Sequence, residues 1–152
     1  CYEPNIDIEK YLEPNSKIAN FKYFLEAVGA NTGMVKLNID NNQSVLSSVS
    51  SDKFGTTKQI SFEEVLERFE KNKVDIVKMD CEGSEWEILE KVDLWKSVKF
   101  ITMEYHLGTD NYDHNRITYA LEKIDFQIVS EIENTNDCNY GIAVAYNKSI
   151  LI

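Results

Sequence analysis

The chain is short of positive charge. It has 16 Lys and Arg against 26 Asp and Glu, a net charge of −10. A nucleic-acid surface needs a basic patch, so the charge balance argues against that class of partner. An anionic membrane surface is disfavoured for the same reason. The plain reading of the acidity is solubility. No apolar run approaches the roughly 20 residues that cross a bilayer. The opening CYEPN has neither the basic nor the apolar stretch of a signal peptide, so a cytoplasmic location is expected. Cysteine is scarce: Cys1, Cys81 and Cys138 are widely spaced and form no CxxC pair. Free thiols in a reducing compartment are expected, not a disulfide framework or a zinc site. There is no repeat, linker or second core, and 152 residues suffice for a single domain, 1–152. The first residue is Cys, not Met, which raises the expectation of a trimmed piece.

What is present centres on VDIVKMDCEGSEWEIL, Val74 to Leu89. Val74, Ile76, Val77 and Met79 around Lys78 predict a buried strand. Gly83 follows as a turn, and an amphipathic helix comes after it. Three carboxylates, Asp80, Glu82 and Glu85, sit at that turn, where ligands bind in open α/β sheets. A purely structural protein gains little from acids there. Around this unit, Asn5 caps a helix over Ile6–Leu12 that Pro14 and Asn15 end. Phe21–Val28 and Met34–Ile39 read as a hairpin across the GANTG turn. Asp40–Gly55 reads as a long polar loop of functional type. Thr57–Ile60 is a short strand. Ser61 and Glu64 form a capping box for the helix that follows, with Phe62, Val65, Leu66 and Phe69 on one side.

Val92–Val98 reads as a short helix packed on the core, and Lys99–Tyr105 as a strand running into His106. Leu107–His114 is a second polar loop and Asn115–Ile124 a helix. Phe126–Ile132 and Tyr140–Tyr146 close the chain as two strands separated by ENTNDCN. Strands alternating with helices predict a mainly parallel α/β sheet, with an antiparallel strand at the C-terminal end. Glu104 and His106 alternate onto one face, and adjacency of the two strands brings His106 near Asp80. Lys78 shares a face with Asp80 and could pair with it. Glu85 best suits a helix N-terminal acid complementing the dipole. Trp86 and Trp95 are most simply core aromatics.

KMDCEGSEWEIL resembles the K-x-D-x-E-G-x-E-x-x-x-L motif of FkbM-type S-adenosylmethionine-dependent methyltransferases. Tyr2-Glu3-Pro4-Asn5 resembles the family's acid-Pro-Asn strand end, and Ala27-Val28-Gly29 with Gly33 its A-x-G…G hairpin. Ile60–Leu66 resembles its strand-to-helix stretch, and Met103-Glu104-Tyr105-His106 its apolar-E-x-H strand end. The resemblance implies a Rossmann-like α/β sheet of the class I methyltransferase type. The family's first strand, with its Gly-rich cofactor turn, is missing from this sequence.

The resemblance further implies S-adenosylmethionine as cofactor, with Glu3 and Pro4 at the ribose and Ala27 and Val28 at the adenine. It implies methyl transfer to an oxygen, most naturally a hydroxyl of a sugar or secondary metabolite, so the partner is a small-molecule or glycan acceptor. Asp80, Glu82 and His106 are then the catalytic candidates: a carboxylate can orient the acceptor hydroxyl, and either group can take its proton. Glu104, Ser47 and Ser48 are the substrate candidates. Two alternatives stand beside this reading. Asp80, Glu82 and Glu104 suit magnesium or calcium as hard oxygen ligands, as in a metal-dependent hydrolase. A non-catalytic interaction domain could instead form a homodimer that fills the sheet with a second chain's strand.

Overall fold

Residues that alternate in character build strands, and the longest described strand shows why. In β6 (Val98–His106) Ile101, Met103 and Tyr105 are buried on one face, while Phe100, Thr102, Glu104 and His106 occupy the other. The structure, a computed structural model, describes residues 1–39, 47–51, 55–69, 73–107, 115–133 and 140–150. β6 lies inside a four-stranded sheet of order β5-β6-β8-β7, with β5 at Val74–Met79, β7 at Phe126–Glu133 and β8 at Tyr140–Asn147. β5 runs parallel to β6 with Met79 opposite Met103, and β8 runs antiparallel to both β6 and β7. The antiparallel closing pair is therefore as the sequence predicts.

One face of this sheet is covered. α3 (Glu85–Leu89), a 3-10 stretch at Val92–Ser97 and α4 (Asn115–Lys123) bring Ile88, Leu89, Trp95, Ile117 and Leu121 into one buried cluster with β6 and β8. Trp95 is its centre. Its ring lies 4.7 Å from that of Phe62 and 6.0 Å edge-on from that of Phe126, and Nε1–H donates to the Ile88 carbonyl at 3.2 Å. Asn147, also buried, donates to the carbonyls of Trp95 and Val98, both at 3.1 Å. The other face is more open and leaves Ile76, Phe100 and Ile142 exposed.

A second four-stranded sheet has the order β1-β4-β2-β3, formed by β1 (Ala27–Gly29), β2 (Gly33–Ile39), β3 (Ser47–Ser51) and β4 (Thr57–Ser61). Here β1 runs parallel to β4, while β2 is antiparallel to both β3 and β4. α2 (Phe62–Glu67) starts on the expected capping box: the Ser61 hydroxyl accepts from the Glu64 amide at 3.2 Å, and Glu64 accepts in return from the Ser61 amide at 3.0 Å. Phe62 and Val65 are buried in the same cluster as Trp95.

Several expectations are corrected. β1 and β2 do not form a hairpin; β4 lies between them, which buries Ile60 together with Ala27 and Val35. Phe21–Val28 is not one strand: Phe24 makes an isolated parallel bridge to Tyr2, and β1 begins at Ala27. After a 3-10 turn at Ile6–Ile8, α1 (Glu9–Ala19) continues through Pro14 and ends on Asn20 at φ 53°. α1 has no buried residue, so water can satisfy the Lys10 carbonyl that Pro14 leaves without a donor. The stretch 40–55 is not all loop, since β3 lies within it; residues 40–46 and 52–54 are outside the described residues. So are 108–114 and 134–139, which hold the second polar loop with His114 and most of ENTNDCN with Cys138. Two of the six described strand pairings are parallel, so the α/β fold is mixed in strand direction. No described helix is long and apolar enough to cross a membrane.

Candidate active site

The parallel register that sets Met79 against Met103 also sets the two strand ends side by side. Beyond Met79 the chain turns sharply, with Glu82 at φ 50° and Gly83 at φ 108°. The first value lies in the left-handed region that non-glycine residues rarely occupy. The second suits glycine, and a Cβ built on Gly83 meets nothing within 4 Å, so conformation and not space demands glycine there. The turn aims two amides at one carboxylate. Glu85, the first residue of α3 and fully buried, accepts from the Cys81 N–H at 3.0 Å on Oε1 and from the Gly83 N–H at 2.8 Å on Oε2.

The same carboxylate reaches the neighbouring strand. Glu85 Oε1 lies 3.1 Å from Nδ1 of His106, the last residue of β6. The other ring nitrogen of His106 points among acids: Nε2 is 3.5 Å from Glu82 and 3.6 Å from Glu104. Trp86 secures this strand end by donating Nε1–H to the His106 carbonyl at 2.6 Å. The Arg116 guanidinium covers the Trp86 ring at 3.9 Å, joining the start of α4 to α3.

These contacts shift the titrations. The hydrogen bond to Glu85 raises the pKa of His106 despite its partial burial, helped by the charges of Glu85, Glu82 and Glu104. Burial raises the carboxyl pKa of Glu82, with the like charges of Asp80, Glu104 and Glu85 adding and His106 opposing. The Cys81 thiol, inside the turn, is pushed up to about 12 by burial and by Glu85, so it is not a nucleophile at neutral pH. Ligand atoms of Asp80, Glu82 and His106 lie within 4.8 Å of one another, a set of two carboxylates and an imidazole that could hold a divalent cation. In this trio His106 stands where the sequence suggested Glu104.

Asp80, Glu82, Glu104 and His106 are thus brought together as expected. Glu85 is different from its expectation: it is the buried hub of the turn and not merely a dipole-complementing acid. Trp86 is half-buried and bonds the His106 strand end, whereas Trp95 is core as predicted. Lys78 is exposed on β5, not buried.

Glu3 follows the Tyr2–Phe24 bridge, donates its amide to Phe24 at 3.0 Å and accepts from the Asn5 amide at 2.8 Å. Glu3 and Pro4 are half-buried; on β1, Ala27 is buried and Val28 half-buried. Ser47 and Ser48 belong to β3, opposite Ile39 and Asn38 at the outer edge of the second sheet, and not to a loop. A cleft of about 520 Å³ runs along α1 past Glu9, Lys10, Glu13 and Tyr23, and contains none of the candidate residues.

The Methyltransferase FkbM domain matches residues 3–128, a span that contains every element of this site. The hexuronic acid methyltransferase AglP of Haloferax volcanii is 30% identical over 123 residues, covering 77% of this chain and 51% of that protein. The chain spans about half the length of that curated relative. No solved structure matches. By the extent of the domain match, the chain belongs to the FkbM methyltransferase family.

Proposed function

We propose that this domain transfers a methyl group from S-adenosylmethionine to a hydroxyl oxygen, with a sugar as the first acceptor class to test. The observation that carries the reading is His106 Nε2, held at a strand end beside Glu82 and Glu104 while Nδ1 is engaged by Glu85. Methylation of a hydroxyl requires loss of its proton, and a neutral imidazole can accept that proton on a free ring nitrogen. Asp80 and Glu82 would orient the hydroxyl by accepting hydrogen bonds. When bound, S-adenosylmethionine supplies the electrophilic methyl carbon on its sulfonium.

The residues present fit two parts of that cofactor. Glu3 is a half-buried acceptor just after the isolated Tyr2–Phe24 bridge, suited to the vicinal ribose hydroxyls, with Pro4 beside it. Ala27 and half-buried Val28 offer an apolar surface suited to adenine. A hexuronic acid methyltransferase among the relatives supports an acidic sugar as acceptor. A second reading adds magnesium to the same site, supported by the spacing of Asp80, Glu82 and His106.

The Rossmann-like class I architecture belongs to the same proposal. Among the described residues β5 pairs on one side only, and Ile76 on it is 59% exposed. That open edge suits a further strand, from the same polypeptide or from a second copy. Calorimetric titration of S-adenosylhomocysteine into the whole encoded protein, and separately into residues 1–152, tests both points. Binding by the whole protein with methyl transfer to a hexuronic acid glycan is expected. Failure of the whole protein to bind, with binding of magnesium alone, overturns methyl transfer in favour of metal-dependent chemistry.

A further inference from the structure

We infer that Glu85 is a positioning residue that fixes His106 as the tautomer protonated on Nδ1, leaving Nε2 as the proton acceptor between Glu82 and Glu104. The argument is one of donors and acceptors. Both Glu85 oxygens already accept a backbone amide, from Cys81 at 3.0 Å and Gly83 at 2.8 Å. A carboxylate engaged in this way has only acceptor capacity left, so Nδ1 at 3.1 Å must donate. A neutral imidazole carries one N–H; the 3.1 Å contact to Glu85 claims it ahead of Glu82 and Glu104, which lie 3.5 and 3.6 Å from Nε2, and that leaves the lone pair on Nε2.

The preference is built into the fold. Glu85 is fully buried and cannot turn to water. The Gly83 φ of 108° aligns its second donor, and the Trp86 bond to the His106 carbonyl at 2.6 Å sets where the ring starts. A free histidine side chain favours the opposite tautomer, protonated on Nε2. In that form the ring would present an N–H to the acceptor hydroxyl and could not take its proton. Glu85 acts through His106 and touches no substrate. That Nε2 serves as the base rests on the methyl-transfer reading; the tautomer does not.

The test is long-range proton–nitrogen NMR of the uniformly nitrogen-15-labelled protein in alkaline buffer, where the imidazole is neutral. The chain has two histidines, so a His114→Asn variant assigns the spectrum. The wild-type protein is expected to show His106 mainly as the Nδ1–H tautomer, and Glu85→Ala to move it to Nε2–H. A wild-type protein already in the Nε2–H form overturns the inference without recourse to any variant, so loss of folding in Glu85→Ala does not protect it. A folded Glu85→Ala protein with an unmoved tautomer overturns it as well. In turnover, Glu85→Ala is expected to lower kcat by about 100-fold with the cofactor KM within about two-fold. If the tautomer is as stated but His106→Gln retains full turnover, the base reading fails and the positioning assignment stands.

Discussion

Substituting Gly83 by Ala isolates the backbone conformation of the site turn. The added Cβ meets nothing within 4 Å, so no steric clash contributes and the cost is conformational. A φ of 108° lies well beyond the left-handed minimum and costs an L-residue about 1–3 kcal/mol. Against this, Ala restricts the unfolded chain and returns about 0.4–1 kcal/mol. Net destabilisation of about 1–2 kcal/mol is expected. Glu82→Gly works in the opposite direction on the adjacent residue. At φ 50° it relieves about 1–2 kcal/mol of left-handed strain, less the entropy of an added glycine of about 0.5–1 kcal/mol, so stability is unchanged or slightly raised. Urea unfolding followed by tryptophan fluorescence reads both. With a slope of about 1–3 kcal/mol/M, Gly83→Ala should lower the midpoint by roughly 0.3–2 M. If Gly83→Ala unfolds at the wild-type midpoint, or Glu82→Gly costs more than it does, the turn is not held in this conformation and the account of how Glu85 receives its two amides is wrong.

Turnover should rise with pH through a value above the ordinary 6.5 of histidine, because the accepting form of His106 is the neutral one and its pKa is raised, chiefly by Glu85. Glu82→Gln should move that limb toward acid, and a profile flat over the neutral range would remove His106 from the proton transfer. Glu26, which binds Arg68 and Lys58 at 2.7 Å each, has a pKa below 4.5, first through its hydrogen bond to Arg68. Its folded value lies below the unfolded one, so its contribution is present above about 4.5 and is lost as pH falls through the folded value. Glu26→Gln should therefore be less stable by about 1 kcal/mol at neutral pH, with the gap closing in acid; a gap that persists in acid assigns the effect to packing. Trp95→Ala should cost about 3–5 kcal/mol in urea unfolding, since the ring fills the centre of the core, and a loss below about 1 kcal/mol would contradict that position. Treatment with a chelator should leave methyl transfer intact; loss of turnover restored by magnesium would assign Asp80, Glu82 and His106 to a cation.

The elements of the fold were legible where a local rule decides them. Ser61 and Glu64 announce the start of α2 because a capping box uses residues three apart. Alternation in Val98–His106 announces β6. Partners were not legible. Alternation assigns faces and says nothing of which strand lies beside which, so the GANTG turn suggested a hairpin where β4 intervenes. The polar stretch around Ser47–Ser51 has no apolar alternation at all, and its strand exists through pairing with β2. Pro14 misled for another reason: the rule that proline ends a helix weakens where the freed carbonyl can reach water.

At the site, a motif of residues close in sequence located the acids, while their division of labour depends on a contact 21 residues long. Glu85 and His106 meet only because β5 and β6 pair in the register that sets Met79 opposite Met103. Side chains on a strand alternate with a period of two, so a slip of β6 by one residue would exchange its faces. Tyr105, now buried and bonded to Glu131 at 2.7 Å, would come to the acid cluster, and His106 would enter the core. The buried set of Ile101, Met103 and Tyr105 forbids that slip, because it would expose all three and bury Glu104 and His106 in their place. The hydrophobic core is thus what selects the histidine, and not the tyrosine beside it, for the acid cluster. A core variant that loosens β6 should harm the site before it unfolds the domain.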